Sequence, residues 1–211
     1  RVVITVGNST SAQIWIYDLT GADQPIKLTH RDHHTFANWS ADGRRIYHLH
    51  VGRPAAIATV RSLPADGSVL EPEPVSTDEP VGSPFTCSPD GAFLIYGNGR
   101  KNSLLPLRGG APQPWPGTPF REVGADFSRD GRLVAYASDP SGRLEIYVRP
   151  FPGPGTPVRV SADGGHDPRW SYDGPELYFR NGAGVLSAKV LSTAPVFRAE
   201  RPRLLFEGNH A

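Results

Sequence analysis

Four copies of one short motif constrain this chain more than any other feature. In each copy an apolar or aromatic residue is followed by Ser-x-Asp-Gly, and the copies are 48, 40 and 43 residues apart. Asp-Gly between two apolar runs is a strong hairpin signal, because glycine adopts positive φ without steric cost. The Ser and Asp side chains can bond the local backbone and hold the turn. The copies begin at Trp39, Cys87, Phe127 and Trp170.

The residues after each turn predict a strand that is buried on both faces. The third residue after the glycine is aliphatic in all four copies, and the fifth is aromatic or histidine. A strand with one wet face would alternate apolar and polar residues, whereas a strand packed between two sheets need not. The residues at these two positions are Ile46, Leu94, Val134 and Leu177, then His48, Tyr96, Tyr136 and Phe179.

A repeat of about 40–45 residues with several short strands is typical of a propeller blade. The sequence therefore predicts an all-β chain, a β-propeller of four-stranded antiparallel blades with about five blades visible. We expect one domain over 1–211, with blades at approximately 1–34, 35–83, 84–122, 123–165 and 166–211. Outer strands are predicted at 26–29, 74–76, 157–161 and 203–206, and a third strand of the second blade at 57–60.

Residues 1–30 supply only three strands, so the first blade is predicted to lack its innermost strand. The sequence has no methionine, and we expect it to be a piece of a longer protein. Two interpretations stay open: closure as a small ring, or part of a ring of six to eight blades.

Composition excludes several functional classes. The formal net charge is +1, and the basic residues are scattered, so the clustered basic surface of a nucleic-acid-binding protein is not predicted. No apolar run approaches the roughly 20 residues needed to cross a bilayer. Cys87 is the single cysteine, so no disulfide within the chain is expected.

Two segments carry a resemblance to a known family. Residues 126–138 read Asp-Phe-Ser-Arg-Asp-Gly-Arg-Leu-Val-Ala-Tyr-Ala-Ser, and residues 142–153 read Gly-Arg-Leu-Glu-Ile-Tyr-Val-Arg-Pro-Phe-Pro-Gly. They resemble the repeat of TolB-like propellers, a relative of the WD-type repeat, and the propellers that follow serine/threonine kinase domains in some bacteria. The second copy departs from this pattern with Cys87 in place of an aromatic residue.

The resemblance implies sensing of a protein or ligand, and it favours a periplasmic or extracytoplasmic location. Fold does not by itself imply function, since propellers support many. The Ser-x-Asp-Gly residues recur in every blade, which indicates architecture rather than catalysis. The motifs Gly-x-Ser-x-Gly, His-Glu-x-x-His and Gly-x-x-x-x-Gly-Lys-Ser/Thr are absent.

Candidate binding residues lie just upstream of the predicted innermost strands. In a propeller this position opens onto the mouth of the central channel, where polar and titratable side chains can bind a peptide end or a small ligand. Wet loops without a specific role are the competing interpretation. The predicted ligand-binding residues are His34, Thr35, Arg121, Glu122, His166 and Asp167.

One local histidine cluster contains His30, Asp32, His33 and His34. Imidazole and carboxylate groups suit several divalent ions, but His-x-x-His-His matches no fixed zinc pattern. A solvated polar loop before Trp39 is the favoured interpretation. We therefore predict no metal and no cofactor.

These observations favour a non-catalytic propeller that binds a protein, a peptide or a small ligand, as the sensor portion of a larger receptor or kinase-linked protein. Two alternatives stay open. One is the gating propeller of a prolyl-oligopeptidase-like serine peptidase, with its hydrolase domain elsewhere. The other is a propeller glycosidase or lyase, which would need a pair of carboxylates that the sequence does not reveal.

If the ring is open, the end blades present unpaired strand edges, and such edges favour association. We expect the isolated chain to self-associate, with an apparent mass that rises with concentration in light scattering. A monomer at all concentrations would contradict an open ring.

Overall fold

The computed structural model describes residues 1–52, 58–75 and 83–208. Over these residues the chain forms twenty β-strands and no helix, arranged in five sheets. In the first four sheets along the chain, successive strands are neighbours, so each of these sheets is an up-and-down meander. The predicted all-β fold of antiparallel blades is confirmed.

The first three sheets follow one another along the chain. The first has three strands, in the order β1-β2-β3, and therefore has one strand fewer than the next two, as predicted. Their strands are β1 (Val2–Gly7), β2 (Ala12–Tyr17), β3 (Ile26–Lys27), β4 (His33–Trp39), β5 (Arg45–Val51), β6 (Ala58–Pro64), β7 (Glu73–Pro74), β8 (Ser83–Cys87), β9 (Phe93–Gly97), β10 (Asn102–Pro106) and β11 (Gln113–Pro114).

The last two sheets complete the chain, and the final one has a fifth strand. Its long third strand pairs with one short strand near its end and with another near its beginning. Two short segments thus share the outer position for which one strand was predicted. The strands are β12 (Glu122–Phe127), β13 (Leu133–Ser138), β14 (Glu145–Pro150), β15 (Val158–Arg159), β16 (His166–Trp170), β17 (Glu176–Asn181), β18 (Gly184–Ser192), β19 (Arg198–Ala199) and β20 (Arg203–Glu207).

Three of the four predicted outer strands are shorter than the sequence predicted, whereas the last, Arg203–Glu207, is one residue longer. The strands β3, β7 and β15 have two residues each, and such short edge strands offer few unpaired backbone groups to a second chain. Ile57, the first residue of one predicted strand, and Ser76, the last residue of another, lie outside the described residues.

The chain divides into two compact units, Arg1–Asn98 with Leu104–Gln113, and Gly99–Ser103 with Pro114–Ala211. In each unit the apolar faces of consecutive sheets form a core. The core of the second unit includes Ala135, Ile146, Leu177, Phe179 and Ala188. The first unit has one cluster around Ile14, Ile16, Ile46 and Leu63 and another around Val60, Leu94, Tyr96 and Leu105.

Burial of the second strand on both faces is confirmed for two blades. Every residue of β13 is buried, as are four of the five residues of β9. The equivalent strands β5 and β17 instead alternate between buried and half-buried residues. In these two strands Tyr47 and Tyr178 occupy the half-buried face.

The repeated turn is closed by a clamp between its serine and aspartate. The Ser128 hydroxyl donates to Asp130 Oδ1 at 2.7 Å, and the Arg132 backbone N–H donates to the same oxygen at 3.1 Å. The Leu133 N–H donates to Ser128 Oγ at 2.9 Å, and Gly131 has a φ of 71°. Clamps with the same bonds form at Ser40–Asp42 and Ser88–Asp90.

These bonds also affect the acidity of the turn aspartates. The pKa of Asp42 is lowered because the Ser40 hydroxyl and the Arg44 N–H donate to its carboxylate. The pKa of Asp90 is lowered by the equivalent bonds from Ser88 and Ala92. The clamp therefore favours the ionised aspartate.

The fourth copy keeps the motif but does not form the clamp. Pro175 follows the glycine and has no backbone N–H to donate to Asp173. The Ser171 hydroxyl oxygen accepts instead from Gly174 N–H at 3.0 Å. Among the described residues, Asp173 has no hydrogen-bond partner.

This difference provides a matched test of the clamp. We expect Asp130→Ala to lower the free energy of unfolding by about 1 kcal/mol, because two hydrogen bonds to a carboxylate are lost. Asp173→Ala should change it by less than about 0.5 kcal/mol. Urea denaturation followed by circular dichroism measures both values, and equal destabilisation would contradict a role for the clamp.

Candidate functional site

The innermost strands share an irregularity close to the predicted binding residues. In each of the four full blades the pairing of the first two strands shifts register near the start of the first strand, which marks a β-bulge. In three of them the bulge contains a residue with left-handed backbone: Phe36 (φ 53°), Gly124 (φ 60°) and Asp167 (φ 52°). Such a backbone is unusual for a bulky residue such as Phe36, whose side chain is exposed.

The structure places five of the six predicted binding residues on strands rather than upstream of them. His34 and Thr35 lie on β4, Glu122 begins β12, and His166 and Asp167 begin β16, while Arg121 directly precedes β12. The expectation of positions before the strands is corrected here, because pairing continues past the bulge and lengthens each strand. His33, for example, still pairs with Val51.

Burial separates these residues. His34 is 4% exposed and Glu122 is 1% exposed, so a wet-loop interpretation does not describe them. Thr35 and His166 are half-buried, and Arg121 and Asp167 are exposed. His34 and Thr35 belong to the first compact unit and the other four to the second. That these six residues bind a ligand stays a prediction.

In the first unit, three histidines stack on one face of the second sheet. His34 on β4 pairs directly with His50 on β5, and their ring centroids are 4.8 Å apart. His48, two residues earlier on β5, faces the same way, with its ring centroid 4.9 Å from that of His34. On the third strand of this sheet Arg61 pairs with His48.

His50 is also bonded to the loop before β4. Its Nε2 lies 3.1 Å from Asp32 Oδ2, and the two side chains are 12% and 41% exposed. The Asp32 backbone has a φ of 59°, a conformation that aspartate tolerates better than most residues. Its carbonyl accepts a hydrogen bond from the Gln13 amide at 3.0 Å. The loop is thus attached to both neighbouring sheets of the first unit.

Asp32, His34, His50 and Arg61 line a cavity of about 410 Å³, which we term the histidine pocket. Its volume lies in the range of small-molecule sites in proteins. Its wall also contains Leu70 and Pro72 from the loop before β7. The polar and charged side chains in its wall are Thr29, His30, Arg31, Asp32, His34, His50, Arg61 and Glu71.

Burial keeps two of the stacked imidazoles uncharged at neutral pH. Desolvation, with a smaller effect from the charge of His50, lowers the pKa of His34 to about 4. Desolvation followed by the charges of His34, His50 and Arg61 lowers the pKa of His48 to about 3. Both rings therefore act as neutral hydrogen-bonding groups.

The hydrogen bonds of these rings are incomplete. His34 bonds the Arg31 backbone through one nitrogen, while its Nδ1 has no hydrogen-bond partner. Neither ring nitrogen of His48 has one. Buried polar groups are normally satisfied, and exceptions often mark functional sites or bound water.

In the second unit, the buried carboxyl group of Glu122 lies at the strand position that is equivalent to that of His34. Glu122 accepts hydrogen bonds from the Thr118 N–H and hydroxyl, and its Oε2 lies 3.6 Å from Lys101 Nζ. This Oε2 has no hydrogen-bond partner. Arg121 donates through Nε to the Gly99 carbonyl at 2.9 Å. The neighbouring strand begins with His166, whose Nδ1 lies 2.9 Å from Asp167 Oδ2.

Sequence reasoning identified His34 but missed His48 and His50. The alternation His48-x-His50 after an Asp-Gly turn was the available signal, since it places both rings on one face of a strand. His30 and His33, from the predicted local cluster, are not part of the stack. Among the described residues, no group of three or more His, Cys, Asp or Glu side chains is arranged to hold a metal ion.

In the described part of the chain, no helix has the length and apolar character needed to cross a bilayer.

No protein-family model matches the sequence. No curated protein matches it either.

Solved structures share the fold. A candidate TolB from Agrobacterium tumefaciens is similar with a TM-score of 0.69 and 19% identity, over 91% of this chain and 74% of that one. TolB from Acinetobacter baumannii has a TM-score of 0.70 and 18% identity, over 95% of this chain and 52% of that one, so this chain spans about half its length. The β-propeller domain of Cps50 (Swd1) from Myceliophteria thermophila has a TM-score of 0.62 and 13% identity, over 96% and 74%. The chain thus has the fold of TolB-like and WD-type propellers.

The lowered histidine pKa values predict a loss of stability in acid. The unfolded chain binds a proton at each imidazole near pH 6.5, whereas folded His34 and His48 do so only near pH 4 and 3. Stability should thus be complete above pH 6.5 and decrease towards pH 4, by about 2 kcal/mol per imidazole at pH 5. His48→Phe, which installs the aromatic type of the other blades, should remove about half of that decrease.

Urea denaturation at pH 7.5 and pH 5 measures this effect. His30→Phe is the control, because His30 is exposed. An unchanged pH dependence in His48→Phe would contradict the assignment.

Proposed function

We propose that this propeller is a non-catalytic scaffold that binds a protein, a peptide or a small ligand, and that the histidine pocket receives part of the bound molecule. The observation that carries the proposal is His34. It is buried, it lines a cavity of about 410 Å³, and its Nδ1 has no hydrogen-bond partner. An unpaired buried polar group of this kind often marks a functional site, and the cavity beside it has the volume of a small-molecule site.

The roles of the candidate catalytic groups support binding rather than catalysis. Ser128 and Asp130 are bonded within their turn. The pairing of Asp32 with His50 is the kind that activates a nucleophile. Among the described residues that line the histidine pocket, however, none is a serine or cysteine. The hydroxyl of Thr29, which also lines it, is buried and accepts a hydrogen bond from the Ile14 N–H at 2.9 Å. At neutral pH the low pKa of His34 also leaves it a weak base.

The wider setting of the proposal comes from the sequence resemblance. Propellers of this repeat type follow kinase domains in some bacteria, so we propose that this one is the sensor portion of a larger receptor or kinase-linked protein. Its partner would then be a protein or peptide. The proposal involves no cofactor and no metal.

Carbon-13 labelling of the histidine rings provides a direct test. We expect peptides and small polar molecules that bind to shift the NMR signals of His34, His48 and His50 but leave His166 unchanged. His50→Ala should weaken binding at least about tenfold, because a ring at the pocket wall and its bond to Asp32 are lost.

The matched control is His166→Ala, a half-buried histidine of the second unit. If it weakens binding while His50→Ala does not, the ligand binds elsewhere. If no compound of any class shifts the three ring signals, the pocket is not a binding site.

A further inference from the structure

We infer that the ligand of the histidine pocket is a short peptide or amino acid with both a free ammonium and a free carboxylate group. This inference rests on the proposed function and specifies its ligand. It follows from the balance of charges around the cavity and from which of those charges have no partner within the protein.

The arginines and the carboxylates in the pocket wall are equal in number. Two guanidinium groups, Arg31 and Arg61, and two carboxylates, Asp32 and Glu71, line it, while His34 is neutral because burial lowers its pKa to about 4. A ligand with a single charge would meet two repelling groups as well as two attracting ones. A net-neutral ligand with separated charges can pair each end with an opposite charge.

Arg61 is held in place with part of its guanidinium unused. It lies on β6 beside His48, and its Nη1 donates to the Pro72 carbonyl at 3.1 Å. Its Nε lies 3.5 Å from the Thr59 hydroxyl. Among the described residues, Nη2 has no hydrogen-bond partner. A positioned guanidinium with a free N–H edge is well suited to a carboxylate.

Glu71 provides the opposite charge. Its side chain is exposed, and no described residue forms a hydrogen bond or ion pair with it. Asp32, by contrast, is bonded to His50 at 3.1 Å. Glu71 is therefore the carboxylate that is available to an ammonium group. Arg61 is the cation that is both fixed in position by the protein and available to a carboxylate.

The apolar part of the pocket fits the rest of such a ligand. Leu70 lies next to Glu71 in the pocket wall and is 64% exposed. A small apolar side chain between the two charged ends of a dipeptide would cover it.

Glycyl-leucine is the probe for this inference, measured by isothermal titration calorimetry with the full 211-residue chain at pH 7.5. Its N-acetylated form and its C-terminal amide each lack one charge. We expect each blocked form to bind at least about tenfold more weakly than glycyl-leucine. If all three bind equally, or if glycyl-leucine does not bind, the inference is wrong.

Two variants assign the two ends of the ligand. Arg61→Gln should weaken glycyl-leucine and its N-acetylated form about tenfold but leave the amide unchanged. Glu71→Gln should weaken glycyl-leucine and its amide but leave the N-acetylated form unchanged. Arg44→Gln, at an exposed turn outside the pocket, is the control. If Arg61→Gln does not fold, the blocked peptides on the unaltered chain and Glu71→Gln still decide the question.

The possible failures are distinguishable. If other compounds shift the ring signals of His34 and His50 while glycyl-leucine does not bind, the ligand class is wrong and the binding function stands. If nothing shifts those signals, the proposed function itself fails. If glycyl-leucine binds but both variants leave its affinity unchanged, it binds outside the histidine pocket and the inference is overturned.

Discussion

A hydrogen bond from a serine hydroxyl to an aspartate carboxylate two residues later closes the first turn of three blades. This contact fixes where the first two strands of a blade begin to pair. Because side chains alternate between the two faces of a strand, the pairing decides which residues enter the core. In the blades with this clamp, the aliphatic residue three positions after the glycine, for example Ile46 or Val134, is fully buried. The apolar clusters between sheets depend on this register.

The bulge near the start of each innermost strand then changes the register once more. In β4, Trp39 pairs with Ile46, and a regular ladder would place Val51 opposite His34. The shift between Thr35 and Asn38 places His50 there instead. One inserted residue thus moves His34 to the face that carries His48 and His50, and it creates the histidine pocket. Because pairing continues past the bulge, the innermost strands also include residues that were predicted to lie upstream of them.

The Ser–Asp clamp and the β-bulge differ in how far they can be predicted from the sequence. The turns, the buried second strands and the three-stranded first sheet follow from local chemistry that is visible in the motif and in the apolar pattern. The pocket does not, because no residue type specifies a bulge at Phe36, and a one-residue shift reverses the face of every side chain beyond it. The burial of Glu122 has a similar origin. Its stabilising contacts come from Thr118 and Lys101, and no motif relates these residues to it.

The clamp has a further consequence for how such a chain can grow. All of its bonds join residues within five positions of each other. A duplicated blade therefore inherits a complete turn and needs no new long-range partner to form it, so the number of blades can change by duplication without redesign of the hairpins. The last turn, where Pro175 removes a donor, shows that a single blade can also lose the clamp and still pair the two strands that the turn joins. Because the bonds that close its turn are local, each blade can be duplicated as a whole as well as fold as a structural unit.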